Sequence, residues 1–309
     1  MHLNHVYDFI KVNGIEIALS TRPIQTRDFS WDINLNFSKN SNKVKELDGE
    51  SDMFELEKAS WLDVQVAAKV GENFGSIVGP DFQRNEKGDI LIDQTGLPQY
   101  DKSNHVLGNA SWDWTGGLLT NFTYKNLSLV AVFDVKVGAD LYSMSARAAY
   151  ESGKSPETLA GRDAWYRSEE ERLAAGIAKG ADNWKPTGGF VAPGVIDNGD
   201  GTYRPNDIYI NPEDYWMSVC RNAPSMFIYD NSYVKCRELT LSYNVPKSWL
   251  KNVVSGLTVS FVARNPFIVW KNIPNIDPDS NYNNTTGMGL EYGSLPSRRS
   301  YGFNVNVKF

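Results

Sequence analysis

Residues 28–38 read Asp28-Phe-Ser-Trp-Asp-Ile-Asn-Leu-Asn-Phe-Ser38. Phe29, Trp31, Ile33, Leu35 and Phe37 alternate without a miss with Ser30, Asp32, Asn34, Asn36 and Ser38. Successive side chains of an extended chain point to opposite sides, so this period of 2 predicts a strand with one apolar and one polar face. The pattern returns at the end of the chain. There Tyr301, Phe303, Val305, Val307 and Phe309 alternate with Ser300, Gly302, Asn304, Asn306 and Lys308.

Less regular copies lie between, at 15–20, 117–125, 127–137, 238–244 and 257–264, which makes seven long strand candidates. Their connections alternate in length. A short turn at 25–27 precedes a long excursion over about 43–115. A Lys125-Asn126 hairpin precedes a second excursion over about 143–230, and a turn at 245–256 precedes a third over about 271–297. Short periplasmic turns and long outer loops are the connection pattern of a transmembrane barrel. With 25–27 periplasmic, strand 299–309 runs inward and the C-terminus lies in the periplasm. Asp32, Asp134, Lys136, Glu238 and Arg264 all fall on the polar side of their alternations. In a membrane they would line the lumen. Turning one outward costs about 2–4 kcal/mol for Lys or Arg at the lipid midplane, and less for Asp or Glu.

Composition is compatible with this reading and excludes others. The net charge of −6 gives no basic footprint for nucleic acid. No apolar run is long enough for a membrane helix, whereas a barrel strand needs only about 9–11 residues, every second one apolar. Met1-His2-Leu3-Asn4-His5 lacks the basic and apolar regions of a signal peptide, so a barrel reading implies a piece of a longer protein.

Within the excursions, Ile90-Leu91-Ile92 before Gln94-Thr95-Gly96 predicts a small hairpin, 157–180 a helical stretch, and Asp197-Asn-Gly-Asp-Gly201 a turn. Asp277, Asp279, Asn281 and Asn283 place oxygen donors at alternate positions, as calcium loops do. The competing reading is a solvated loop of Asx turns, since the glycine and distal glutamate of a full calcium loop are missing. Trp165, Trp184 and Trp216 lie in the second excursion, where indole rings could stack on sugars or simply pack. His2, His5 and His105 form no metal-ligand spacing, and Cys220 and Cys236 read as two buried thiols rather than a disulfide framework. No nucleophile or metalloprotease motif and no phosphate-binding glycine loop is present, so neither an enzyme nor a cofactor is expected.

Several stretches, taken in order, resemble the SusC/RagA family of TonB-dependent outer-membrane transporters. They are Gly14-Ile-Glu-Ile-Ala-Leu-Ser20 followed by Asp28-Phe-Ser-Trp-Asp-Ile-Asn34, then Leu107-Gly-Asn-Ala-Ser-Trp-Asp-Trp-Thr-Gly-Gly117, Asp140-Leu-Tyr-Ser143, Tyr233-Val-Lys-Cys-Arg-Glu-Leu-Thr-Leu-Ser-Tyr243, Ala263-Arg-Asn265 and Gly289-Leu-Glu-Tyr-Gly-Ser-Leu-Pro296. The resemblance runs over 13–309. Residues 1–12 do not match, and Cys236 stands where an apolar residue is usual. The resemblance implies an N-terminal plug, a large barrel, and import of glycans or peptides. It also implies a SusD-like surface lipoprotein partner and energy from TonB-ExbB-ExbD through a part that lies upstream. Tyr301, Phe303, Val305, Val307 and Phe309 resemble the C-terminal signal read by barrel-assembly machinery.

The expected fold is all-β: the C-terminal portion, about seven antiparallel strands, of a transmembrane β-barrel in the outer membrane, with long extracellular loops, one partly helical. The expected function is a segment of a nutrient importer, surrounded by outer-membrane lipid and inactive alone because seven strands do not close a barrel. The alternative is a soluble β-sandwich that binds carbohydrate through loop aromatics and hides its apolar faces between two sheets.

Overall fold

The computed structural model describes residues 10–47, 51–58, 63–250, 254–283 and 285–309. All seven expected strands form, as β1 (Ile10–Gln25), β2 (Phe29–Val44), β3 (Trp114–Tyr124), β4 (Leu127–Val137), β5 (Tyr233–Asn244), β6 (Gly256–Lys271) and β7 (Ser300–Lys308). They make one seven-stranded sheet in which sequence order is spatial order. Every neighbouring pair is antiparallel. This is the up-and-down meander of a barrel wall. Among the described residues β1 and β7 are its open edges.

The registers carry the alternation of one strand into the next. One row across the sheet runs Trp31, Phe122, Leu129, Leu241, Phe261 and Phe303. The adjacent row on the opposite face runs Ser30, Thr123, Ser128, Ser242, Ser260 and Asn304. Trp31 stacks on Phe122 at 5.5 Å between ring centroids, and Phe261 lies 5.5 Å from Phe303. A slip of one residue at any pairing would mix these rows, so the pattern fixes the register. The apolar rows are not covered: Ile15 is 62% and Phe303 80% exposed. A sandwich would bury this face under a second sheet, so the sandwich alternative is not favoured.

The short connections lie at one end of the sheet. Thr26 closes the first, accepting from the Phe29 backbone N–H at 3.0 Å. Lys125, at φ 51, makes the β3–β4 hairpin. β7 ends here too, where Ser255 N donates to the Lys308 carbonyl at 2.7 Å.

The three excursions leave the other end and fold together into a lobe. The first supplies a four-stranded sheet of Met53–Lys58, Gln65–Lys69, Ser76–Phe82 and Tyr100–Asn109. The expected hairpin sits at its side, with Asp93 N donating to Leu97 O at 2.8 Å. The second carries α1 (Met144–Glu151), α2 (Arg162–Ala174) and α3 (Pro212–Asn222). Of these, only α2 falls in the stretch expected to be helical. The expected turn at 197–201 joins Val195–Asp197 to Tyr203–Pro205. Asp140–Ser143 pairs antiparallel with Ile228–Asp230 and parallel with Leu290–Glu291, tying the second excursion to the third. The lobe core shows the same mixing: Val66 and Ile77 come from the first excursion, Tyr142, Cys220 and Phe227 from the second, and Leu290 from the third.

Candidate functional site

Two places on the molecule gather chemistry: the polar face of the sheet where it meets the lobe, and a cleft on the lobe itself. At the first, β5 departs from strict alternation. A β-bulge between Cys236 and Glu238 adds one residue against β4, so that Cys236 opposes Phe133 while Glu238 opposes Val132. The extra residue re-aims the side chains, as bulges do at barrel rims. Lys235 lies opposite Asp134, and the Arg237 guanidinium reaches the same Asp134 carboxylate at 2.5 Å. Glu238 lies opposite Arg264, 3.6 Å away. Charged residues at 235, 237 and 238 thus share the polar face.

This cluster holds the third excursion. Lys235, only 2% exposed, donates to Asp277 at 3.1 Å and Asp279 at 2.5 Å, and also contacts Ser297 Oγ. Arg237 grips Asp279 with both terminal nitrogens, at 2.5 and 2.8 Å. The Tyr233 hydroxyl donates to Asp279 Oδ1 at 2.8 Å. Ser297 N donates to Asp277 Oδ2 at 2.9 Å. Burial pushes both carboxyls up. On Asp279 the bonds and charges of Arg237 and Lys235 outweigh it, and on Asp277 those from Ser297, the Asp279 N–H and Lys235 do. Both are held below the usual carboxylate range.

Of the two readings of 277–283, these contacts favour the loop of Asx turns over the calcium loop. Asp277 and Asp279 are engaged by Lys235 and Arg237, which supply the positive charge a metal would have brought. Asn281 Oδ1 accepts from Gly289 N, and Asn283 Oδ1 from Thr285 N and Gly287 N. The alternation is a series of side chain-to-backbone turns. Among the described residues no group of three His, Cys, Asp or Glu could hold a metal ion.

The tryptophans part ways. Trp165 and Trp216 line one cleft of about 210 Å³ with Tyr150, Tyr166, Glu151 and Glu213, whereas Trp184 is not among its walls. Trp216 is 8% exposed and packs on Tyr150 and Tyr215 at centroid distances of 4.8 and 4.9 Å. It is a core residue that floors the cleft. Trp165 is half-buried and Tyr166 is 65% exposed, so these two rings are the accessible ones. Both ride on the first turns of α2. The helix begins at Gly161, φ 78, where a Cβ would come within 2.6 Å of the Gly189 carbonyl oxygen, so glycine is required there. Glu213 sits in the first turn of α3, capped by Asn211 Oδ1 accepting from Glu213 N at 3.1 Å. Asn211-Pro212-Glu213-Asp214 is a helix-start signature that could have found this element. Among the rim residues, the signal for Lys235, Arg237 and their loop partners was the break in period at 235–238.

Both cysteines are free and buried. Cys220 lies in the lobe core, where burial pushes its thiol up to about 12, and Cys236 sits at the bulge. His105 pairs with Asp101 at 3.0 Å and contacts Ser103. His2 and His5 fall outside the described residues. Tyr301, Phe303, Val305, Val307 and Phe309 are all exposed.

No family model matches the chain. It is 23% identical over 327 residues to TonB-dependent receptor P3 of Formosa agariphila, covering 96% of this chain and 28% of the relative. TonB-dependent receptor SusC of Bacteroides thetaiotaomicron is 23% identical over 310 residues, with 96% of this chain and 26% of SusC covered. The chain therefore spans little more than a quarter of the length of these relatives, which are receptors rather than enzymes. Among solved structures, the RagAB peptide importer in its closed-closed state superposes with a TM-score of 0.61 at 17% identity, covering 97% of this chain and 30% of the matched one. A second RagAB peptide transporter structure gives 0.60 at 16%, covering 97% and 29%.

Proposed function

We propose that this chain, a relative of the TonB-dependent receptors, forms part of the wall of an outer-membrane barrel that imports oligosaccharides. The observation that carries this is the register of the seven-stranded sheet. It lines up an exposed apolar face against a polar face bearing Asp32, Asp134, Lys136, Glu238 and Arg264. Lipid satisfies the first face and a watery lumen the second. With the short turns in the periplasm, the lobe stands outside the cell and Phe309 faces the periplasm. The rings of Trp165 and Tyr166 then meet arriving nutrient, with Trp216 beneath them and the carboxylates of Glu151 and Glu213 as acceptors for sugar hydroxyls. Trp184 belongs to the same lobe but lies off this cleft. Peptide import, the activity named for the RagAB structures, is the second reading.

The proposal extends to a SusD-like surface lipoprotein over the lobe, TonB-ExbB-ExbD as energy source, and barrel-assembly machinery acting on the outward row of β7. The open edges of β1 and β7 require pairing by strands these residues do not supply, since an unpaired backbone group in lipid costs several kcal/mol. The seven strands alone are therefore expected not to transport. Purified chain should require detergent to stay monodisperse, and brominated lipid should quench Trp31 on the outward face. A chain monodisperse in plain buffer would overturn the membrane reading. For the substrate, Trp165→Ala should abolish oligosaccharide binding to the chain. Peptide binding that needs Trp165, with no oligosaccharide binding, would replace the first reading by the second.

A further inference from the structure

We propose that the cleft where β7 parts from β6 binds an oxyanion group borne by the solute that passes through the lumen. The inference rests on the barrel reading above and narrows its solute to an acidic one. β7 pairs with β6 only as far as Ser300 opposite Arg264. Beyond that point β6 continues to Lys271. Its extension and the segment carrying Pro296, Ser297 and Arg299 line a cleft of about 600 Å³.

The strand register places the polar walls of this cleft on the lumen side. Lys271 lies opposite Tyr233, and Tyr233 opposite Lys136. Ile268 lies opposite Lys235, and Lys235 opposite Asp134. Both rows belong to the polar face of the sheet. Ser297 joins the same side, where it contacts Lys235 and donates its backbone N–H to Asp277. Phe267, opposite Cys236, belongs to the outward face and bounds the cleft there.

Elsewhere on the polar face cations meet carboxylates: Arg22 pairs with Asp32, Arg237 with Asp134 and Asp279, and Arg264 with Glu238. The cleft departs from this balance. Lys235, Lys271 and Arg299 line it against a single carboxylate, Asp277, which Lys235 already engages at 3.1 Å. Lys271 Nζ donates to the Ile276 carbonyl at 2.5 Å, which leaves the ammonium two further donors. Among the described residues neither Lys271 nor Arg299 has a carboxylate partner within salt-bridge distance. An ammonium and a guanidinium left without counter-charge in one cleft suit an oxyanion, which takes a point charge from the first and paired bonds from the second.

Size and lining select an anion that is attached to something larger. A volume of about 600 Å³ is that of a cleft for a whole small molecule, and a bare inorganic anion would fill little of it. Asn265 and Asn275 add amide donors and acceptors for hydroxyls, and Ile268 and Ile276 add apolar wall for the C–H face of a ring.

The test uses the whole chain in an uncharged polyoxyethylene detergent, which carries no sugar. Methyl glucuronide, methyl glucoside and sodium sulfate are the probes, and saturation-transfer NMR titration is the readout. Methyl glucuronide should bind about tenfold or more tightly than methyl glucoside. Arg299→Gln, on an exposed side chain, should weaken methyl glucuronide by about tenfold and leave methyl glucoside unchanged. Lys271→Gln should act in the same direction, with unchanged hydrogen exchange over 275–297 showing that the loop stays in place. Glucuronide and glucoside binding alike, or wild type and both variants binding glucuronide alike, would overturn the proposal. Sodium sulfate matching methyl glucuronide in affinity would make this a free-anion site and overturn the assignment to a solute-borne group. A chain that proves monodisperse without detergent would instead overturn the barrel reading itself, which separates the two failures.

Discussion

The outer lobe and the seven-stranded sheet treat apolar side chains in opposite ways. In the lobe, Val66, Ile77, Tyr142, Phe227 and Leu290 converge and lose essentially all contact with solvent. In the sheet, Leu35, Leu129, Leu241, Phe261 and Phe303 are just as apolar and remain exposed. On the membrane reading proposed above, one amino-acid alphabet serves two solvents. The lobe excludes water from a centre. The sheet has no centre of its own and leaves its apolar rows exposed, as the proposed lipid surroundings require. Polar groups follow the inverse rule. In the lobe Glu291 is buried, with Ser143 Oγ, Ser145 N, Ser145 Oγ and Ser294 N donating to it at 2.7–3.0 Å. In the sheet the charges line one face and pair across it.

This contrast can be broken by experiment. The largest effect is expected in the lobe, where Phe227→Ala should cost about 3–5 kcal/mol through the cavity it leaves. Phe303→Ala should cost within about 0.5 kcal/mol in detergent. Denaturant unfolding of both variants in the same detergent measures the difference, and similar losses would erase the distinction between the two regions.

A comparable loss, about 3–5 kcal/mol, is expected from Lys235→Met, which strands Asp277 without a cation and leaves Asp279 to Arg237 alone. Hydrogen exchange should show 275–297 released while the four-stranded sheet of the lobe keeps its protection. Unchanged exchange in that loop would remove the rim cluster as its anchor.

The two faces of β7 should differ by somewhat less. Val305→Lys should hinder insertion into vesicles by about 2–4 kcal/mol if it lies near the midplane, and Asn304→Lys by close to nothing. Equal insertion of the two variants would contradict the assignment of faces.

Acid should act next and locally. Asp277 and Asp279 have folded pKa values below their unfolded ones. Their contribution is therefore fully present above the unfolded carboxylate value of about 4 and is lost as pH falls through the folded values. Protease protection of the 275–297 loop should fall below pH 4 in wild type and show no such step in Lys235→Met. The smallest effect is expected from Arg264→Ala, whose exposed pairing with Glu238 is worth less than about 1 kcal/mol.

The sheet was legible from single residues because period 2 states both the element and its faces. Phe29 to Phe37 and Tyr301 to Phe309 need no tertiary context to be read. The lobe was less legible because its short strands, such as Leu290–Glu291, exist only through a partner far away in sequence. α3 carried a readable start at Asn211-Pro212 that its strand-rich surroundings masked. The rim cluster was half visible. The loop carboxylates Asp277 and Asp279 drew attention, but their partners Lys235 and Arg237 sit where the bulge breaks the period. With the cations out of view, a calcium loop stayed open beside the reading as a loop of Asx turns. Trp216 illustrates the same limit: an indole in an excursion has the same letters whether it meets a ligand or a core.

The parallel pairing of Tyr142–Ser143 with Leu290–Glu291 has a consequence for the order of events in folding. Contacts this distant in sequence close late, because the chain between them must first be confined. Leu290 and Glu291 arrive with the third excursion, so the first two wait with a core that lacks a wall. If the sheet spans a membrane as proposed, each excursion has to cross it as a segment without its own finished interior. The third completes the interior for all three.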